Sequence, residues 1–123
     1  MKRDMDLVRK ILIEIESQRG GFSSKQLEDN GYSKDDVEYQ LAIMLEGGLI
    51  EGAQAKRSGH YYPLISPTRL TWAGHDFLDA CRDEGCWIKA KEKLKTLGES
   101  ASIDIIKMVL IEVAKSKLFN TGI

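Results

Sequence analysis

A mainly helical chain with one small β-hairpin, ordered as a winged helix-turn-helix that continues into a C-terminal helical extension, is the fold class the sequence predicts. Three observations predict it. A long amphipathic segment is followed by two shorter ones, each opened by serine and closed by a glycine-containing turn; two β-compatible runs flank a basic turn within residues 49–65; and a fresh helix starts at Leu70-Thr71-Trp72-Ala73-Gly74. With 123 residues, 42% of them apolar, the chain has material for one core. The expected division is a winged helix-turn-helix core over residues 1–86 and a helical extension over residues 87–123, packed on the same domain.

Residues 4–18 place Leu7, Ile11 and Ile15 at four-residue steps with Val8 and Leu12 beside them, an apolar stripe on a helix that Gly20-Gly21 ends. Ser23 and Gln26 have capping-box spacing and open a short second helix, stopped by Asn30-Gly31. Ser33 and Asp36 repeat the signal for a third helix. Its inward positions are Val37, Leu41, Met44 and Leu45, with Ala42 and Ile43 on the flanks and Gly47 or Gly48 as terminator. Residues 49–53 and 61–65 then read as strands around the turn Lys56-Arg57-Ser58-Gly59-His60, the wing. Pro63 and Pro67 cannot donate to a ladder, so each should face away from the partner strand or mark a strand end.

Thr71 caps a fourth helix with Gly74, Phe77, Leu78 and Cys81 on its apolar face, ending near Asp83-Glu84-Gly85. A fifth carries Trp87, Ala90, Leu94 and Leu97 until Gly98, and a last one, capped by Ser100 or Ser102, runs to about Asn120. Between Ile103 and Val113 that helix is apolar on nearly every side, which asks for cover on nearly every side. A homodimer through Ile103, Ile106, Val109, Leu110 and Val113 is the expectation. Leu7, Ile11, Leu41, Leu45, Phe77 and Leu78 are expected to share one core.

The same stretch is too short, and with Asp104, Lys107 and Glu112 too charged, to cross a bilayer. The charged opening Met1-Lys2-Arg3-Asp4 lacks the apolar run of a secretory signal, so no membrane association and a cytoplasmic location are expected. Cys81 and Cys86 lack the close-pair spacing of a structural zinc site even with His60 and His75 added. Two thiols, no bound metal and no cofactor are expected. No nucleophile elbow, phosphate-binding glycine loop or metalloprotease helix occurs, and Asp76, Asp79 and Asp83 read as a solvated acidic stripe. These readings point away from an enzyme and from a small-molecule substrate.

The opening Met1-Lys2-Arg3-Asp4-Met5-Asp6-Leu7-Val8-Arg9-Lys10-Ile11-Leu12 and the stretch 70–80, together with 87–94 and 103–106, resemble a bacterial and prophage-borne family, domain of unknown function 2513. The resemblance covers almost the whole chain and implies a small intracellular protein, often prophage-encoded, of winged-helix-like organisation. It brings no catalytic residues to carry over.

A net charge of −1 and a pI near 6.1 deny the chain the overall footprint of a nucleic-acid binder. Across residues 23–50, Lys25 and Lys34 stand against Glu28, Asp29, Asp35, Asp36, Glu38 and Glu46, a local balance of −4 that repels phosphates. The wing is the basic feature: Lys56, Arg57 and Arg69 against Glu51, with His60, Tyr61 and Tyr62 available for stacking. Lys34, Tyr39 and Gln40 are the third-helix side chains that would reach a groove. The alternating Lys89, Lys91, Lys93 and Lys95 scatter around their helix and read as a solvated face. The leading expectation is therefore a non-enzymatic winged-helix regulator that contacts duplex DNA through Lys56, Arg57, His60 and Tyr61, helped by Lys34, Tyr39 and Gln40. The alternative is a protein-interaction or adaptor module. In it the acidic third helix docks a basic partner or mimics DNA charge, and the last helix dimerises.

Overall fold

The computed structural model describes residues 1–18, 21–97 and 102–120, with backbone alone at 97 and 117–120. Among them run α1 (Met5–Ser17), α2 (Lys25–Asp29), α3 (Lys34–Glu46), β1 (Ile50–Ala55), β2 (Leu64–Leu70), α4 (Trp72–Cys81), α5 (Glu84–Leu97) and α6 (Ile103–Asn120). The mainly helical fold with one antiparallel hairpin is the class expected. Chain contacts divide it into two compact units, Met1–Asp76 and Phe77–Ile123, the division falling inside α4.

In the first unit, α1 begins where Asp4 Oδ1 accepts from Leu7 N at 3.1 Å. Its stripe of Leu7, Val8, Ile11, Leu12 and Ile15 is buried, as periodicity requires. Helix α2 begins one residue later than the expected capping box. Ser23 Oγ accepts from Lys25 N, while Ser24 Oγ donates to Glu28. Ser33 caps α3 by accepting from Asp36 N at 3.0 Å. At its other end Gly48, at φ +79°, closes a Schellman motif: Leu49 N donates to Met44 O and Gly48 N to Leu45 O. Val37, Leu41 and Met44 face the core as expected, whereas Leu45 is only half-buried.

The second strand lies three residues further along than expected. Tyr61, Tyr62 and Pro63 belong to an eight-residue connection, 56–63, with Gly59 at φ +81°. The register pairs Ile50 with Leu70 and Glu51 with Arg69, then slips so that Gly52 faces Pro67 and Thr68 is the extra residue of a bulge. Pro67, which has no amide hydrogen to offer a ladder, sits where the ladder is already interrupted. A Cβ on Gly52 would come within 2.6 Å of Ser66 O, so the bulge also fixes a glycine opposite it.

The turn after α3 is tied to the start of α4. Thr71 N donates to Leu49 O (3.0 Å), Thr71 Oγ1 donates to Gly48 O (2.5 Å) and accepts from Gly74 N (3.1 Å). Gly74 lets the two backbones meet, since a Cβ there would lie 2.1 Å from Leu49 O.

In the second unit, α5 starts at Glu84, earlier than expected, because Asp83 caps it: Oδ2 accepts from Cys86 N at 2.8 Å. Asp83 therefore leaves the acidic stripe of α4 to which the sequence assigned it. Phe77 and Trp87 meet edge to face, 6.5 Å between centroids. With Leu78, Cys81, Cys86, Ala90, Ile106, Val109, Leu110 and Val113 they are the buried apolar residues of this unit among those described. Phe77 and Leu78, expected in one core with Leu7 and Leu41, fall on this side of the division. Helix α6 begins behind Ser102, whose Oγ accepts from Ile105 N at 3.3 Å. The expected stops at Gly20 and Gly98, the alternative cap Ser100 and the inward side chain of Leu97 lie outside the described residues. Among those residues no helix is long and apolar enough to cross a membrane.

Candidate interaction surface

Around the connection 56–63 the first unit brings together most of the side chains singled out for DNA, in a different arrangement from the one expected. Arg57 does not reach outward. Its Nη1 donates to Glu38 Oε2 of α3 at 2.5 Å, and its guanidinium lies 5.1 Å from the centre of the Tyr62 ring. Glu38 and Arg57 side chains are 10% and 21% exposed. The pair is thus largely withdrawn from water, which strengthens it and makes each partner costly to leave alone. Arg57 Nε and Nη2 are buried with no hydrogen-bond partner among the described residues, so the Tyr62 face is the stabilising contact left to that side of the cation.

Tyr62 is the hub of the cluster. Its ring meets Tyr39 of α3 at 5.5 Å, His60 at 5.9 Å and Tyr61 at 6.1 Å, all edge to face. Burial, opposed by the Arg57 charge and assisted by Asp35 and Glu38, holds its phenol above the ordinary tyrosine pKa, so the ring is neutral at physiological pH. The basic connection is therefore clasped to the acidic helix α3.

Gln40, expected to reach a groove, is 1% exposed and points inward. Its Oε1 accepts from Asp4 N and its Nε2 donates to Lys2 O, both at 3.0 Å, tying the chain ahead of α1 to α3. Arg69 is held bidentately by Glu51 across the bulge, at 3.0 and 2.8 Å. Lys34 is exposed, 4.0 Å from Glu38. Of the three hairpin cations Lys56, Arg57 and Arg69, only Lys56 lacks an ion-pair partner among the described residues. Phosphate contacts need cations that can leave water for an anion, and two of the three already hold carboxylates.

The outward face of α3 is a different surface. Asp35, Asp36, Tyr39, Ala42, Ile43 and Glu46 recur at three- and four-residue steps and so share one side of the helix. Against it the hairpin leaves a groove of about 510 Å³, lined by Tyr39, Ala42, Ile43, Leu45 and Glu46 from α3 and by Gln54, Tyr61, Tyr62, Pro63 and Ile65. Beyond Tyr61 and Tyr62 a second hollow of about 410 Å³ is lined by Asp35, Asp36, Ser33, Gly59, His60 and Met1. By helical period Ala42 and Ile43 fall on the flanks of a core stripe. The spacing from Asp35 to Glu46 was the signal that marks them as one outward face.

In the second unit, Ile106, Val109, Leu110 and Val113, expected at a dimer interface, are buried within the chain itself, and Ile103 is half-buried. Among the described residues, the large apolar side chains that α6 leaves to solvent are Ile105, Met108 and Ile111. Lys91 lies over the Trp87 ring and Lys93 is 3.7 Å from Glu112, so half of the lysine run has intramolecular partners. His75 Nδ1 lies 3.8 Å from Glu16 Oε2 of α1. Cys81 and Cys86 are buried thiols, and no cluster of three or more potential metal ligands occurs among the described residues.

Comparison with known proteins returns a likeness without an activity. The model of a family described as hypothetical protein (DUF2513) matches residues 2–100. An uncharacterized protein of Haemophilus influenzae is 36% identical over 111 residues, covering 89% of this chain and 92% of that protein. No solved structure matches the chain.

Proposed function

We propose a function for a chain that belongs to the DUF2513 family, a membership that leaves the groove between α3 and the hairpin to supply it: a non-enzymatic adaptor whose first unit, organised as a winged helix-turn-helix, docks a protein segment. The carrying observation is that groove, walled by Tyr39, Ala42, Ile43 and Ile65 where a DNA reader would present polar side chains to base edges. The inward turn of Gln40 and the Arg57–Glu38 pair support the same reading.

Two measurements on the full chain test it. Panning a random-peptide display library is expected to enrich sequences that bind the wild type and lose at least about tenfold in affinity on Ile43→Arg, with circular dichroism confirming the fold. Labelled duplex DNA is expected to bind no more tightly than about 10⁻⁴ M at physiological salt, the weak end of non-specific association. Enrichment of groove-independent peptides alone, with tight duplex binding that is lost on Lys56→Ala, would instead restore the DNA reading.

For the second unit we propose self-association through Ile105, Met108 and Ile111, each 44% or more exposed on α6. Solvent contact of such a row is unfavourable enough that a second copy is a natural cover. Sedimentation at micromolar concentration is expected to give a dimer that Met108→Lys converts to monomer; a wild-type monomer would end this part of the proposal.

A further inference from the structure

The groove has a charge pattern as well as a shape, and the pattern restricts its occupant. Asp35 and Asp36 line the adjoining hollow, which shares Tyr61 and Tyr62 with the groove, and Glu46 lines the groove itself. Among the described residues no Lys or Arg side chain lines either hollow. Between the acidic ends the walls are Ala42, Ile43, Pro63 and Ile65.

Helix stability accounts for only half of this arrangement. Carboxylates in the first turn of α3 are favoured by the helix dipole, so Asp35 and Asp36 would belong there without any ligand. Glu46 is different. It ends the helix, where the dipole disfavours an anion, and it has no ion-pair partner among the described residues. A cation supplied from outside would compensate it. At the opposite end Tyr61, 92% exposed, offers a ring face to a cation within reach of two carboxylates.

Resting on the reading of the groove as a docking site, we infer that its occupant is an extended segment of about five residues with Lys or Arg at both ends and an apolar side chain in the middle. The length follows from the helix: Asp35 and Glu46 are eleven residue steps apart, about 16 Å at about 1.5 Å per step, and the four steps of a five-residue strand cover about 13 Å at about 3.3 Å each, the long terminal side chains reaching the rest. One terminal cation sits over Tyr61 against Asp35 and Asp36. The central side chain enters between Tyr39, Ile43 and Ile65, and the other cation meets Glu46.

Three capped synthetic peptides test this against the full chain by NMR titration: Arg-Ser-Leu-Ser-Arg, its neutral counterpart with Gln at both ends, and its acidic counterpart with Glu at both ends. The basic peptide is expected to shift amides of α3 and of residues 59–65 and to bind at least about tenfold more tightly than the neutral one. Asp36→Asn and Glu46→Gln should each remove about threefold of that advantage, and salt should weaken the basic peptide most. Equal binding of the neutral or acidic peptide at the same amides would overturn the charge assignment and leave the docking site standing. Binding of none of the three, with duplex DNA shifting the amides of the 56–63 connection, would overturn both.

Discussion

Gly74→Ala is expected to destabilise the protein by about 3 kcal/mol and to lower its melting temperature by roughly 10 °C, the size of a severe overpacking change. Local preference argues the opposite sign, because Ala is favoured over Gly inside a helix by about 1 kcal/mol. The contact decides. The added methyl would lie 2.1 Å from Leu49 O, 3.1 Å from Leu49 C and 3.4 Å from Leu70 Cβ, and two of these atoms are backbone with no rotamer to yield. Relief would require the start of α4 to move away from Leu49, breaking the Thr71 N–Leu49 O bond. Thermal and urea unfolding report the change; a variant as stable as the wild type would show that the close approach does not constrain the fold.

Glu38→Gln is expected to cost about 2 kcal/mol. Breaking a fully buried ion pair costs about 3–5 kcal/mol, and this pair keeps some water, its side chains being 10% and 21% exposed. The substitution keeps the shape of the side chain and one acceptor oxygen but removes its charge, leaving the Arg57 cation with a neutral hydrogen bond and the Tyr62 face. Replacing both residues by methionine should recover most of the loss, because the cost lies in the orphaned cation more than in the missing bridge. Hydrogen exchange at residues 59–62 should accelerate in the single variant and return toward the wild-type rate in the double one. A loss below about 0.5 kcal/mol, typical of a surface pair, would mean that the clasp is solvated and contributes little.

Legibility in the sequence followed the range of the interactions. Helices α1 and α3 were readable because their stripes and serine or aspartate caps lie within a few residues of one another. The hairpin was readable from its turn, but its register was not: the slip at Glu51/Gly52 depends on how Pro67 and Thr68 meet the other strand. The candidate site shows the same limit. The sequence marked Arg57, Tyr61 and Tyr39 as a neighbourhood yet assigned Arg57 to phosphate, since a charge count treats each side chain as unpaired. Arg57 and Glu38 are 19 residues apart, and Gln40 and Asp4 are 36 apart. No local period signals such partners. Asp35, Tyr39, Ala42, Ile43 and Glu46 were within reach of periodicity, but an apolar position on a short helix is assigned to the core before it is considered as a wall of a groove.

The bulge bears on how the hairpin behaves toward other chains. A two-stranded sheet has an open rim along each strand, and such rims recruit further strands, whether from a ligand or from another copy on the way to aggregates. On β2 the rim is spoiled in its middle: Pro67 supplies no amide hydrogen to either neighbour, and the extra residue Thr68 bends the backbone, its hydroxyl bonded to Glu51 O at 3.2 Å. Strand addition along β2 would therefore leave acceptors unmatched near its centre. That discourages fibril-type growth from this strand, and it directs an extended guest toward the side of the hairpin that faces α3.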